Sequence, residues 1–119
     1  MAAPNILQVS TITGKTDVLA VTTTATAIVT NATGSNSVYK VNALVIANID
    51  GVNSCDVSVE IFRSSVAYRL INTVAVVADS SFIAIGRDYP LYLEEGDALR
   101  VVASANGDLT AVCSYEVIT

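Results

Sequence analysis

Polar and apolar residues alternate along much of this chain with the period of an extended strand. From Leu99 to Ser104, Leu99, Val101 and Ala103 fall on one side of an extended backbone and Arg100 and Ser104 on the other, as in a strand with one buried face. Beyond Asn106 and Gly107 the period resumes with Leu109, Ala111, Cys113, Tyr115 and Val117. Asn-Gly tolerates the positive φ of a type I′ turn, so these two runs read as a closing hairpin. Val57, Val59 and Ile61 alternate with Asp56, Ser58 and Glu60, which predicts a strand with one face toward water. Tyr39 to Ile49 alternates little, as a strand does when both faces are covered, and is assigned to the centre of a sheet.

The other segments are shorter or less regular. Ile6 to Thr13 is apolar-polar and stops at Gly14, and Pro4 before it suits an edge strand or an extended arm. Asp17 to Val29 holds two strands meeting around Thr23 to Thr26, and Asn31 to Asn36 is a turn. The loop from Asn48 to Asn53 contains an Asp-Gly turn signal. Tyr68 to Val77 and Ser81 to Ile85 read as a pair across Ala78, Asp79 and Ser80, and Gly86 to Pro90 breaks the pattern before a short strand, Leu91 to Leu93. Turn signals recur about every 8 to 12 residues and no window carries a helical stripe. The fold class is all-β: an antiparallel β-sandwich or jelly roll of about eight to nine strands, with a closed barrel as the runner-up.

Composition changes this picture in one respect. The 119 residues, read as a single β-sandwich domain spanning 1–119, are 52% hydrophobic and 14% charged, against a usual charged share of about 25%. The surplus is Ala, Val, Ile and Leu in short runs, which assigns part of it to contacts with other subunits, an unusually apolar monomeric sandwich being the alternative. A net charge of −5 and basic residues scattered singly at Lys15, Lys40, Arg63, Arg69, Arg87 and Arg100 argue against a nucleic-acid partner. No run approaches the roughly 18 apolar residues of a membrane helix, so no membrane partner is expected. The opening MAAPNILQ lacks the pattern of a signal peptide, and folding in a cytoplasm is expected. The sequon at Asn31, Ala32 and Thr33 then reads as a turn.

Candidate chemistry is sparse. Gly14, Lys15 and Thr16 match the end of a phosphate-binding loop, but Val9 stands where that loop needs its first glycine, and a tight turn between strands is the alternative. Glu94 and Glu95 are adjacent and point apart on an extended chain, so with Gly96 and Asp97 they read as a solvated turn rather than a catalytic carboxylate pair. Histidine is absent, which removes His-based triads and the commonest metal ligand. The Asp50 loop lacks the ligand spacing of a calcium loop. No enzyme, cofactor or metal is expected. Cys55 and Cys113 are read as buried thiols, with an inter-sheet disulfide as the alternative.

MAAPNI with the threonine-rich segment after it, VYKVNALVIANIDG and YLEEGDALRVVASANGDLTAVCSYEVI together resemble small virion structural proteins of tailed bacteriophages, particularly those of marine cyanobacteria. The most specific pieces are Val45 to Gly51 and Leu91 to Arg100. The resemblance implies a β-sandwich that decorates or cements a capsid, or serves at the neck, collar or tail, located in the virion and assembled in the host cytoplasm. It implies a homo-oligomer, a trimer in the decoration case, with the major capsid protein as partner. A carbohydrate-binding module is a weaker alternative, because tryptophan is absent and Tyr39, Tyr68, Tyr89, Tyr92 and Tyr115 are spread along the chain. The candidate interaction residues are Pro4, Asn5, Ile6, Leu7 and Val9, within residues 1–10. Either they form an arm that adds a strand to a neighbour, or Ile6 to Val9 is this subunit's own edge strand.

Overall fold

The computed structural model describes Leu7 and residues 9–119, and the strands given below are those of the described residues. Nine strands run in the order β1 (Ile12–Ala20), β2 (Thr26–Thr30), β3 (Val38–Asn48), β4 (Cys55–Arg63), β5 (Val66–Val76), β6 (Ser81–Ile85), β7 (Leu91–Leu93), β8 (Ala98–Ala103) and β9 (Leu109–Ile118). One sheet, called A here, has the order β1-β9-β3-β6, with β7 also paired to β3, and sheet B has the order β2-β8-β4-β5. All pairings are antiparallel. β1 with β9, β2 with β8, β3 with β6 and β7, and β4 with β5 are the pairings of one long ribbon folded at its middle and rolled over. This is the connectivity of an eight-stranded jelly roll whose sixth strand is broken into β6 and β7.

The core lies between the sheets. Val41, Leu44, Ile46, Ala111 and Cys113 from sheet A meet Val57, Val59, Leu99 and Val101 from sheet B, all fully buried, and these are the inward positions of period-two strands. Val38–Asn48 is an interior strand between β9 and the β6/β7 edge, as its composition predicts. Its burial nevertheless alternates, with Leu44 and Ile46 buried and Ala43, Val45 and Ala47 half-buried. Only one of its faces is covered.

Several sequence expectations are corrected. Leu99 to Ala103 and Leu109 to Val117 are strands, but in different sheets, so they form no hairpin. The β1–β2 corner lies between them: Val21 N donates to Leu109 O, Ala103 N to Thr22 O, and Thr23 N to Asn106 Oδ1. Gly107 has a positive φ of 85° and Asn106 is not among the positive-φ residues, which excludes a type I′ turn there. The two-residue hairpin is instead Ser64–Ser65, with φ of 52° and 63°, between the paired Arg63 and Val66. β5 consequently pairs with β4, and β6 pairs with β3 across the sandwich. No turn occurs at Gly14 to Thr16: β1 runs through them in unbroken register with β9, from Ile12 opposite Ile118 to Ala20 opposite Thr110.

The outer face of β4 does not see water as expected. Ser58 and Glu60 are buried because β4 is an interior strand whose neighbours lean over it. β5 reaches it through two irregularities, Val57 pairing with Val74, Val59 with Ile71 and Glu60 with Arg69. These leave extra residues on β5 near Leu70 and Thr73, and Thr73 takes a φ of 49° with its N–H donating to Ser58 Oγ.

Candidate interaction surfaces

The register of sheet A sets its outer face. Residues directly opposite in antiparallel strands share a face, and every second residue returns to it. Val18, Val112, Val45 and Ile83 therefore form one row across all four strands. Ala20, Thr110, Ala47 and Ser81 form the row on one side, and Thr16, Ser114 and Ala43 the row on the other. Val18 is 75% exposed, Ile83 65% and Val112 39%. These three rows contain no charged side chain. They end where Gly14, Glu116, Lys40 and Tyr92 stand in register.

Sheet B is different outside. Glu60, 2% exposed, accepts from Arg69 Nε at 3.0 Å through Oε1 and from Arg100 Nε at 2.7 Å through Oε2, which also receives Arg100 Nη2. The Arg100 guanidinium lies 4.0 Å over the Phe62 ring, and Arg69 Nη1 donates to Asn72 Oδ1 at 2.9 Å. One carboxylate thus holds two guanidinium groups, and a cation–π contact orients one of them. Beside it, a cleft of about 190 Å³ is lined by Asp56, Ser58, Arg69, Thr73 and Ser104 among others.

At one end of the sandwich the turn of Glu94, Glu95, Gly96 and Asp97 is present, with Gly96 at a φ of 89°, and Glu94 and Gly96 are exposed as expected, but its last carboxylate is not. Asp97 is 1% exposed. It accepts from Arg63 Nε at 2.7 Å, from Arg63 Nη2, and from Glu94 N at 2.8 Å, while Arg63 Nη2 also reaches Glu94 at 2.9 Å. Burial pushes the Asp97 carboxyl up, and the Arg63 hydrogen bonds, the Glu94 N–H and the Arg63 charge outweigh it, leaving it below the usual carboxylate range. Asn31 of the sequon is fully buried and its Nδ2 donates to Ser37 O and Leu93 O. That amide is a structural tie.

At the opposite end Asp50 accepts from Val52 N, Asn53 N and Asn53 Nδ2 at 2.8, 3.3 and 3.1 Å. Its loop closes on itself, as a side-chain-capped turn does. Among the described residues no group of three or more His, Cys, Asp or Glu side chains could hold a metal ion. Cys55 and Cys113 are free and buried, and burial, with a smaller contribution from Asp17, pushes the Cys113 thiol up to about 12. Gly14, Lys15 and Thr16 lie on β1 beside an open cleft of about 330 Å³ that Asn42, Ser114, Tyr115 and Glu116 also line, with no helix N-terminus among the described residues to receive a phosphate. Tyr115 stacks on Tyr39 at 5.5 Å between centroids and donates to Asp17 Oδ2 at 2.8 Å. The exposed Tyr68, Tyr89 and Tyr92 sit on β5, in the β6–β7 loop and on β7, so no two adjacent strands present them as a platform.

Of the candidate interaction residues, Pro4, Asn5 and Ile6 lie outside the described residues. Leu7 is 92% exposed and Val9 half-buried. From Ser10 the chain joins its own sheet: Ser10 N and Thr11 N donate to Thr119 O, and Thr119 N to Thr11 O. The sheet A face was not singled out from the sequence. The one signal for it is the weak alternation of β3, whose outer residues Ala43, Val45 and Ala47 are apolar like the inner ones between them.

No protein-family model matches the chain, and no curated protein matches it. Among solved structures, a chain of the Bacillus endospore appendages, described as a family of disulfide-linked pili, aligns over 100% of this chain and 96% of its own length, with a TM-score of 0.54 and 16% identity. A pentameric capsid protein from metagenomic phage sequences aligns over 85% of this chain and 59% of its own, with a TM-score of 0.39 and 20% identity. The first likeness covers both chains almost end to end, and what this protein shares with that appendage chain is an all-β fold.

Proposed function

We propose that this chain is a non-enzymatic structural protein of a phage virion, a decoration or cement protein that stabilises the head through several weak surface contacts made at once. The observation that carries the reading is the distribution of exposed aliphatic side chains. Ile12, Val18 and Ile83 lie on sheet A, Val66 and Leu70 on the edge strand β5, and Ile49, Val52 and Val77 in loops, each at least 45% exposed. A lone soluble subunit gains nothing from so many, whereas a subunit that meets several neighbours buries them. The resemblance of its sequence to small phage virion proteins supplies the virion, and the partners are then further copies, as a trimer, and the major capsid protein. Contacts of about 1,000 to 2,000 Å² each, acting together, raise the effective concentration of every contact once the first has formed.

Residues 1–10 are the contact arm in this reading, with Ile6, Leu7 and Val9 adding a strand to a neighbour's edge and Pro4 and Asn5 leading the chain to it. The test is co-sedimentation of the purified chain with purified heads, and the survival of those heads on heating. The full chain should bind and protect heads, and a chain lacking Met1 to Asn5 should fold but be retained less. Unchanged retention removes the arm. Binding to tail assemblies and not to heads moves the protein to the neck, collar or tail.

A further inference from the structure

From the register of sheet A we infer that its outer face is a self-association surface, and that its occupant is the same face of a second copy, packed sheet on sheet about a two-fold axis. Charge argues for a second copy. The chain carries −5, so two copies repel wherever acidic surface meets acidic surface. The rows of Val18, Val112, Val45 and Ile83, of Ala20, Thr110, Ala47 and Ser81, and of Thr16, Ser114 and Ala43 bring no charge to the contact from either side. The outer face of sheet B, with Asp56, Glu60, Arg69 and Arg100, would bring charges from both. A basic partner finds no carboxylate in these rows to pair with, while an identical face finds its own chemistry.

Shape argues the same way. Small and β-branched side chains on a pleated face interlock with a like face at a sheet separation of about 10 Å. Val112 and Val45, on the two middle strands, lie nearest the axis, with Val18 and Ile83 at the margins. Area sets the strength. Four strands about 4.8 Å apart and three rows about 6.8 Å apart give roughly 400 Å² per copy, near 800 Å² in all, below the ~1,200 Å² at which specific complexes become stable. The isolated pair is therefore weak, forming in the high-micromolar to millimolar range, and becomes lasting where other contacts hold the copies close. The contact is two-fold, so it cannot close a trimer. It joins two subunits, or two oligomers built through other surfaces, and it does not depend on where in a virion the chain sits.

The test uses the purified full chain and sedimentation velocity from micromolar to millimolar concentration. The wild-type mass should climb from the 12.4 kDa monomer toward its double, or from that of a pre-formed oligomer toward its double. Val112→Glu and Val112→Lys change a residue already 39% exposed, and circular dichroism with a melting curve shows that each variant folds. Each variant alone should associate at least tenfold more weakly than wild type, and an equimolar mixture of the two should regain association, because opposite charges then face each other. Thr30→Glu, at an exposed site on β2 of sheet B, should leave association unchanged. Wild type that does not associate at millimolar concentration, folded Val112 variants that associate as wild type does, or a mixture no better than its components would overturn the inference.

Discussion

Glu60→Gln replaces a carboxylate that serves two arginines with an amide of the same shape. Glu60 takes Arg69 on one oxygen and Arg100 on the other. Glutamine has one acceptor oxygen, so one guanidinium must lose its partner and face the amide NH2. A lost hydrogen bond to a charged group costs about 1.5 to 3 kcal/mol, and a wholly buried ion pair broken on one side about 3 to 5 kcal/mol. Here Glu60 is buried while the Arg69 and Arg100 side chains are 43% and 24% exposed. Water can replace part of what they lose, which puts the expected cost near 2 kcal/mol, toward the lower range.

A chain of 119 residues unfolds with an entropy of about 0.25 kcal/mol/K near its midpoint, so that cost lowers Tm by about 8 °C. Urea and thermal melts followed by far-ultraviolet circular dichroism measure it. A cycle with Arg100→Leu should show a coupling above about 1 kcal/mol, since the two side chains share one bond network. The difference from wild type should persist in about 0.5 M salt, because a buried carboxylate is screened less than a surface one. A Tm shift below about 2 °C, with no coupling, would mean that the inner face alone holds β4 in place and that the outer cluster is solvated.

Two further predictions concern acid and thiols. Asp97 has a lower pKa in the folded chain than when unfolded, so its stabilisation is complete above the unfolded value of about 4 and is lost as pH falls through the folded value. Asp97→Asn should lower the urea midpoint at neutral pH, and the gap to wild type should narrow in acid; parallel curves at every pH would rule the Arg63–Asp97 tie out as the source. Cys55→Ser should cost little, because Sγ already lies within reach of Ser104 Oγ at 3.4 Å and of the Asp56 and Ala105 carbonyls, whereas Cys113→Ser in the core should cost about 1 to 2 kcal/mol. Reductant should leave the wild-type Tm unchanged, and a fall of many degrees would mean that a disulfide joins the sheets.

Much of the strand inventory was legible because side-chain alternation reports which residues face inward. β3, β6 and β7 lie within a residue or two of where the pattern puts them. Alternation does not report which strand lies next door, and the misread hairpins follow from that. Asn106–Gly107 and Asp50–Gly51 carry strong turn signals, yet both sit where the chain changes sheet. Ser64–Ser65 makes the tight turn with two residues that signal nothing, since serine seldom takes a positive φ. The burial of Glu60 is hidden for a related reason: its polarity is visible in the sequence, and the two arginines that cover it come from positions 9 and 40 residues away. The sheet A face had the same difficulty. Val18, Val45, Ile83 and Val112 are unremarkable singly and become a row only through pairing.

The edges of the two sheets bear on which contacts the chain can make. An unpaired edge invites another strand unless it is short, bent or charged. β2 is five residues with a register shift at Ile28, the β6/β7 edge is interrupted between Ile85 and Leu91, and β5 is bent near Leu70 and Thr73. β1 is the exception, nine residues in continuous register with β9. A strand donated by a neighbour's arm, Ile6 to Val9 in the reading proposed above, therefore has β1 as its most regular acceptor. Val18 lies on this strand as well as in the uncharged row, so a strand added there would widen the same face by about 4.8 Å. Edge addition and face packing would then reinforce each other: each added strand enlarges the area that a second copy can cover, and a contact too small to last in an isolated pair grows with the assembly.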